Sequence, residues 1–340
     1  MKKLLSLVLV LALCLTATFA LADGVKLGIV TPDADHGFTG ESVAHARAEA
    51  EALKASGAIA DFMMGVGGEA SKQIQAIDDI LNWGADVIML WPLEGDQLRN
   101  AAQTVLDEDV KLIIYDRLIE NFDGKTAEIM GDNEGIGNLM GKYLLKKYEA
   151  ELKAGETITY LLFIGDSSTV SKQRTGGMLD IINASEYKDQ FVLLQDGFQT
   201  DWSNAKSQEF MENWLNTADP AVIADLDLIV THDDEIVDGI TTVIQGTDAL
   251  TSLSLITSVG GRRETLATYD RIETPALVTY FFSPSFIREA LRLAVAAEKG
   301  ETYQGQEVNG QLFLVPTIEI DKTTVEAFRQ SQEYIDRYSI

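Results

Sequence analysis

The sequence holds a single cysteine, Cys14, and only three histidines, His36, His45 and His232. Cys14 falls inside an apolar N-terminal segment that reads as a removable leader. The mature chain is therefore expected to have no disulfide, no thiolate metal site and no cysteine nucleophile. Three scattered histidines give no ligand spacing for a metal centre. Positive charge is also scarce: 27 Lys and Arg stand against 53 Asp and Glu, for a formal charge of −26. That balance argues against nucleic acid and anionic membrane surfaces as partners, since both demand basic patches. Beyond the leader, no apolar run approaches the length of a membrane span. The GxxxxGK phosphate loop, the GxSxG elbow and the HExxH metal motif are all missing, which argues against the enzymes they mark. Gly135-x-Gly137 lies inside a helical pattern and reads as helix packing rather than a dinucleotide loop. No cofactor and no metal are expected.

What is present starts with that leader. Met1-Lys2-Lys3 is a basic head, Leu4 to Leu15 an apolar stretch, and Ala20-Leu21-Ala22 a small-residue cleavage site. Residues 1–22 read as a signal peptide, so the mature chain begins at Asp23 and is exported, to a periplasm or to the extracellular face of the cell envelope. The remaining length suits two ordinary domains, and 46% apolar residues suffice for their cores.

From Val25 onward, short apolar runs alternate with helical patterns. Val25-Val30, Ala60-Val66, Val87-Leu90 and Leu112-Tyr115 read as strands. Between the last two, Leu98, Ala101, Ala102, Val105 and Leu106 repeat at helical spacing. Ala127-Met130 follows as a strand. Past Asp132-Asn133 the pattern restarts, with strands at Ile158-Ile164, Phe191-Leu194, Leu226-Val230, Ile256-Val259 and Ala276-Tyr280. A last strand-like run spans Leu312-Ile318. This grammar predicts an α/β fold of two similar doubly wound parallel-sheet domains.

Ligands of such sheets bind beyond the carboxyl ends of the strands. Asp116-Arg117 stands at one of these ends. An acceptor-only carboxylate beside a five-donor guanidinium suits a ligand that both donates and accepts hydrogen bonds, as a sugar or polyol does. A solvated loop pair or a mutual ion pair is the competing reading. His36 and His232 also fall at strand ends and are candidates to face a cleft, whereas His45 reads as a surface residue in mid-helix. Trp91 reads as packing behind the cleft.

The block GADVIMLWPLEGDQLRNAAQTVLDEDVKLIIYDR, followed by GDNEGIG, resembles the type I periplasmic sugar-binding proteins, the ribose- and galactose-binding group that serves ABC importers. The resemblance covers essentially all of Asp23 to Ile340 and implies two domains joined by a three-crossing hinge. The first is residues 23–132 plus 281–312, the second 133–280 plus 313–340, with the ligand cleft between them. It implies that Asp116 and Arg117 bond the sugar. Asn133 marks the crossing at the cleft, and Arg174, in SKQRTGGM, supplies a second guanidinium. Phe38 and Trp202 match stacking aromatics, although Trp202 also reads as a core or surface aromatic. Arg174 pairing with Asp166 or Asp180 is a further alternative. Asp233 matches a polar position that is often Asn, while Asp35 and His36 lie in a loop that usually carries Asn. A late polar ligand falls near Tyr280-Phe281-Phe282, so Tyr280 and Phe281 complete the site. The chain departs from the pattern at Gly260-Gly261, where the family usually has an aspartate.

The function so implied is capture of a monosaccharide in the cleft and delivery to the membrane subunits of an ABC permease. The protein is expected to be a monomer and not an enzyme, with a chemoreceptor as a further partner. Two alternatives remain open. One keeps the fold but binds a polyol or an autoinducer-like furanose. The other is an exported enzyme acting on carbohydrate, for which no poised acid–base pair is identifiable.

Overall fold

The structure, a computed structural model, describes residues 24–34, 37–271 and 274–340. The expected signal peptide, Asp35 and His36 lie outside the described residues. The first half runs β1 (Lys26–Thr31), α1 (Gly37–Ala55), β2 (Asp61–Val66), α2 (Ala70–Trp83), β3 (Val87–Leu90), α3 (Gly95–Asp107), β4 (Lys111–Tyr115) and β5 (Ala127–Gly131). The second half runs α4 (Asn133–Lys147), α5 (Glu149–Lys153), β6 (Ile158–Ile164), α6 (Thr169–Asn183), β7 (Phe191–Leu193), β8 (Phe198–Gln199), α7 (Asn204–Thr217), α8 (Pro220–Ala224), β9 (Leu228–Thr231), α9 (Asp234–Ile244), β10 (Leu255–Gly260), α10 (Arg263–Leu266) and β11 (Ala276–Phe281). The tail adds α11 (Ile287–Lys299), β12 (Leu312–Val315), β13 (Glu319–Ile320), α12 (Val325–Arg329) and α13 (Gln332–Arg337).

Two sheets result. The first has the order β12-β5-β4-β3-β1-β2, and the second β13-β11-β10-β9-β6-β7, with β8 also pairing β6. Every pairing is parallel except β11 with β13. Strands such as β3, VIML, are buried along their whole length because helices cover both sheet faces. That is why they read as continuous apolar runs and not as alternating ones.

Three links join the sheets: Asp132, residues 282–286, and Pro316–Ile318. After the second link, α11 packs back on β3 and β4 of the first sheet. The third link differs from the expected 312/313 boundary. β12 stays paired with β5 through Val315, and only β13 joins the second sheet. Of the single run expected at Leu312-Ile318, only Leu312–Val315 is strand; the rest is the link that leads into β13. Pro316 cannot donate to a ladder, so the run breaks there.

Helices α4 and α6 approach backbone to backbone. A Cβ on Gly137 would lie 2.3 Å from the Arg174 carbonyl oxygen, and one on Gly177 would lie 2.5 Å from that of Glu134. The Gly135-x-Gly137 segment therefore does serve helix packing. The close approach also aligns the first residue of α4 with the side of α6 that carries Arg174.

Candidate functional site

The first residue past each of two strands reaches one interdomain cavity: Trp91 after β3 and Asp116 after β4. The second domain adds Asp233, which precedes α9, along with Arg174 and Val170 from α6 and Trp202 from the loop after β8. Phe38, Thr39, Arg117 and Phe282 complete the lining of a space of about 440 Å³, mouth included.

Asp116 sits in the left-handed region at φ 64°, with its N–H on the Ile129 carbonyl at 3.0 Å. Aspartate tolerates that conformation better than most side chains. Burial pushes the Asp116 carboxyl up to about 6, against the pull of Arg117 and Arg174. Arg117 donates to the Leu93 carbonyl at 2.6 Å and crosses the cleft to pair with Asp166 at 3.0 Å. Asp166 is held below the usual carboxylate range: burial opposes this, but Arg117 and the Ser168 bonds outweigh it. A second crossing bond runs from the Leu118 N–H to Thr169 Oγ1 at 3.3 Å. The structure is therefore closed over the cavity.

Arg174 is only 2% exposed. Its Nε donates to Asn133 Oδ1 at 2.9 Å, and Nη1 donates to the His232 carbonyl at 2.6 Å. Its guanidinium carbon lies 4.6 Å from the Phe282 ring centroid and 5.7 Å from that of Trp202. Burial pulls Arg174 down to about 10, while Asp233, Asp116 and Asp166 pull the other way, so it stays charged at neutral pH. Neither Asp166 nor Asp180 is its hydrogen-bonded partner. Asp233 caps α9 by accepting from the Glu235 N–H at 2.8 Å, and burial, reinforced by Asp234, raises it to about 7.

Two aromatics rest on glycine floors. A Cβ on Gly131 would lie 2.1 Å from the Phe282 ring, and one on Gly165 would lie 2.2 Å from the Trp202 indole. Asp201 and Trp202 both have positive φ, 49° and 60°, a tight turn that aims the indole at the cavity. Phe38 stacks on Phe282 at 5.4 Å and meets Trp91 edge-on at 6.0 Å.

Of the expected site residues described, Phe38, Asp116, Arg117, Arg174, Trp202 and Asp233 meet at this cavity. Asn133 does not line it but holds Arg174 from behind. Tyr280 and Phe281 correct the expectation: both belong to β11, are buried in the core and do not line the cavity. Phe282, the first residue free of that strand, takes the position instead. His232 is buried beneath Arg174, with Nε2 3.2 Å from Thr175 Oγ1, and does not reach the cavity. Burial first, then Arg174, lowers it to about 3, so it stays neutral. His45 is no surface residue, being fully buried with Nε2 donating to the Arg337 carbonyl at 2.9 Å. Trp91 touches the cavity as well as packing behind it. The strand-end rule that selected Asp116 would have found Trp91 and Phe282 too.

The aspartate absent at Gly260 has a replacement of a kind. A Cβ there would meet Asp234 Oδ2 at 2.7 Å. Asp234 is fully buried and accepts from Ser258 Oγ, Thr279 Oγ1 and the Arg262 N–H. It ties strand ends together and does not line the cavity. A larger space of about 1,030 Å³ opens behind the hinge, among Arg288, Glu289, Arg292, Glu333 and Asp336. Phe281 and Val315, the last residues of β11 and β12, and Pro316 and Ile318 of the third link also line it. Among the described residues, no cluster of His, Cys, Asp and Glu can hold a metal ion, and no helix is long and apolar enough to cross a membrane.

Known proteins share this design. The model of the periplasmic binding protein domain matches residues 27–302. The chain belongs to that family. It is 26% identical over 269 residues to a D-xylose-binding periplasmic protein of Haemophilus influenzae, covering 78% of this chain and 76% of the relative. It is 24% identical over 247 residues to the D-xylose-binding periplasmic protein of Escherichia coli, covering 72% and 69%. An ABC transporter solute binding protein from Bacillus halodurans, solved with bound myo-inositol, superposes with a TM-score of 0.74 at 18% identity, covering 92% of this chain and 99% of that one. The two-domain type I fold is therefore common to both structures. Membership of that family makes the chain a binding protein by domain type. Both D-xylose-binding relatives are named as periplasmic proteins.

Proposed function

We propose that the protein captures a monosaccharide between its two domains and delivers it, as a monomer, to the membrane subunits of an ABC permease. One observation carries this reading: two carboxylates, two guanidiniums and four aromatic rings converge on a single closed cavity. A sugar offers hydroxyls at its ring edge and weakly apolar C–H faces. Asp116 and Asp233 accept from the hydroxyls, Arg117 and Arg174 donate to their oxygens, and Phe38 and Trp202 cover the faces. Hydrogen bonds to charged groups contribute about 1.5–3 kcal/mol each. The D-xylose-binding relatives support the same ligand class. Closure presents a surface formed by both domains, which a permease reads as the loaded state, and a chemoreceptor can read the same surface. The relatives point to the periplasm as the site of action.

Polyols form the second reading, favoured by the myo-inositol complex of the Bacillus halodurans protein. Thermal unfolding of the chain from Asp23 with a panel of pentoses, hexoses and polyols separates the two. A ligand at one hundred times its Kd adds about 2.7 kcal/mol, a shift of a few degrees. A shift with a monosaccharide, recovered chemically unchanged, is the expected result. A shift with polyols alone would replace the sugar reading, and none with either class would refute both.

A further inference from the structure

The two domains meet at more than one pair of strand ends. Arg117–Asp166 joins the ends of β4 and β6. A second contact joins the ends of β1 and β9. There Glu235, the second residue of α9, extends its carboxylate across the cleft to Gly37, the first residue of α1. A Cβ at Gly37 would overlap Glu235 Oε1 and lie 3.6 Å from Cδ. The carboxylate thus rests on backbone that only glycine leaves bare. In the first sheet β4 and β1 flank β3, whose end carries Trp91 of the cavity. The two contacts therefore stand on either side of that wall.

Charge favours the second contact. The first turn of α1 has no acidic residue of its own, and the N-terminal end of a helix is partly positive. Glu235 brings a carboxylate to that end from the other domain. Its own domain already holds it in place: its N–H donates to Asp233 Oδ1 at 2.8 Å, and Arg262 Nη1 stands 3.7 Å from Oε1. Its side chain is 17% exposed, so water and salt screen the charge only in part. The next two residues of α1, Phe38 and Thr39, line the cavity. Whatever holds the end of α1 therefore holds the Phe38 ring.

We infer that Glu235 is a closure latch: on closing, its carboxylate docks on the N-terminal end of α1, retains the ligand and fixes Phe38 over it. Glu235 does not line the cavity, so it is a positioning residue. Gly37 is its counterpart, because a side chain there would push the carboxylate away. The inference rests on the binding reading above and adds how the loaded state is held.

Stopped-flow fluorescence with D-xylose, and with myo-inositol beside it, tests this. Glu235→Gln keeps the length of the side chain and removes its charge. Dissociation should quicken about three- to thirtyfold, as for a partly buried charge lost from a helix end, with association within about twofold of wild type. Gly37→Ala, which a helix accepts readily, should also quicken dissociation. The double variant should be no faster than the faster single one, because both changes remove the same contact. Unchanged dissociation in Glu235→Gln would overturn the latch and leave the binding reading intact. So would slower association with unaltered dissociation, since the carboxylate would then act on the open form. Effects that multiply in the double variant would also overturn it, because the two residues would be acting apart. Failure of both probes and of every other sugar and polyol to bind would overturn the latch and the binding reading together.

Discussion

The two walls of the cleft are held in different ways. On the second-domain side, Arg174 is fixed by Asn133 and the His232 carbonyl, and Asp233 is fixed as the cap of α9. All these partners belong to the same domain, so that wall is assembled whether or not the cleft is closed. On the first-domain side, Asp116 is positioned through its own backbone and Arg117 reaches across to Asp166. That second bond exists only while the domains meet. One wall is preorganised for capture, and the other is completed by closure, which couples ligand retention to the hinge.

Removing the preassembled guanidinium should break this contrast most severely. Arg174→Ala leaves buried carboxylates and any bound hydroxyl without their donor. Losses of about 2–5 kcal/mol are typical for such truncations, thirtyfold or more in Kd. Equilibrium binding checks this, with circular dichroism to verify the fold. An unchanged Kd would mean the wall is not where the ligand sits.

Protonation gives the next largest effect. Asp116 and Asp233 titrate from about 6 and about 7 instead of the ordinary 3.8, because burial disfavours their charged forms. The folded protein then binds more protons than the unfolded chain between these values. These two groups therefore make the unliganded closed form less stable as pH rises from about 4 to 7. A sugar hydroxyl donated to an ionised carboxylate favours the charged form and reverses part of that shift. Affinity should rise about tenfold from pH 5 to pH 8, with proton release measurable by calorimetry in buffers of different ionisation enthalpy. Affinity falling over that range would mean that the carboxyls bind sugar as neutral acids.

Asp166→Asn tests the closure-dependent side. The pair is partly shielded from water, so its loss should cost about 1 kcal/mol, roughly fivefold in Kd. The change should appear in the dissociation rate, read by stopped-flow fluorescence, and leave association nearly unchanged. A slower association with unaltered dissociation would show that Arg117–Asp166 assists capture and not retention. Tyr280→Phe should do least. Its hydroxyl lacks a well-formed partner and lies in the core, away from the cavity. Calorimetric affinity should stay within about twofold of wild type, and a larger loss would return Tyr280 to the site.

These residues also show what the sequence made legible. Both parallel sheets were readable because buried strands are continuous apolar runs, and most of the cavity was readable because it collects the residues just past them. The errors lie at single steps along the chain. Tyr280 and Phe281 fall two residues and one residue too early, because the end of β11 is set by pairing with β10 and β13 and not by composition. His45 looked exposed in mid-helix because the tail that covers it, ending in Arg337, lies 292 positions away. The Arg117–Asp166 bond had no signal at all, since it arises only when two independently folded walls meet.

A crystal structure of the protein with the sugar that most raises its unfolding temperature tests the central claim directly. The account predicts one sugar between the domains, touched at once by Asp116, Arg174 and Asp233, with an aromatic ring on its face. A sugar bound instead in the larger space behind the hinge, with the interdomain cavity unfilled, would contradict it.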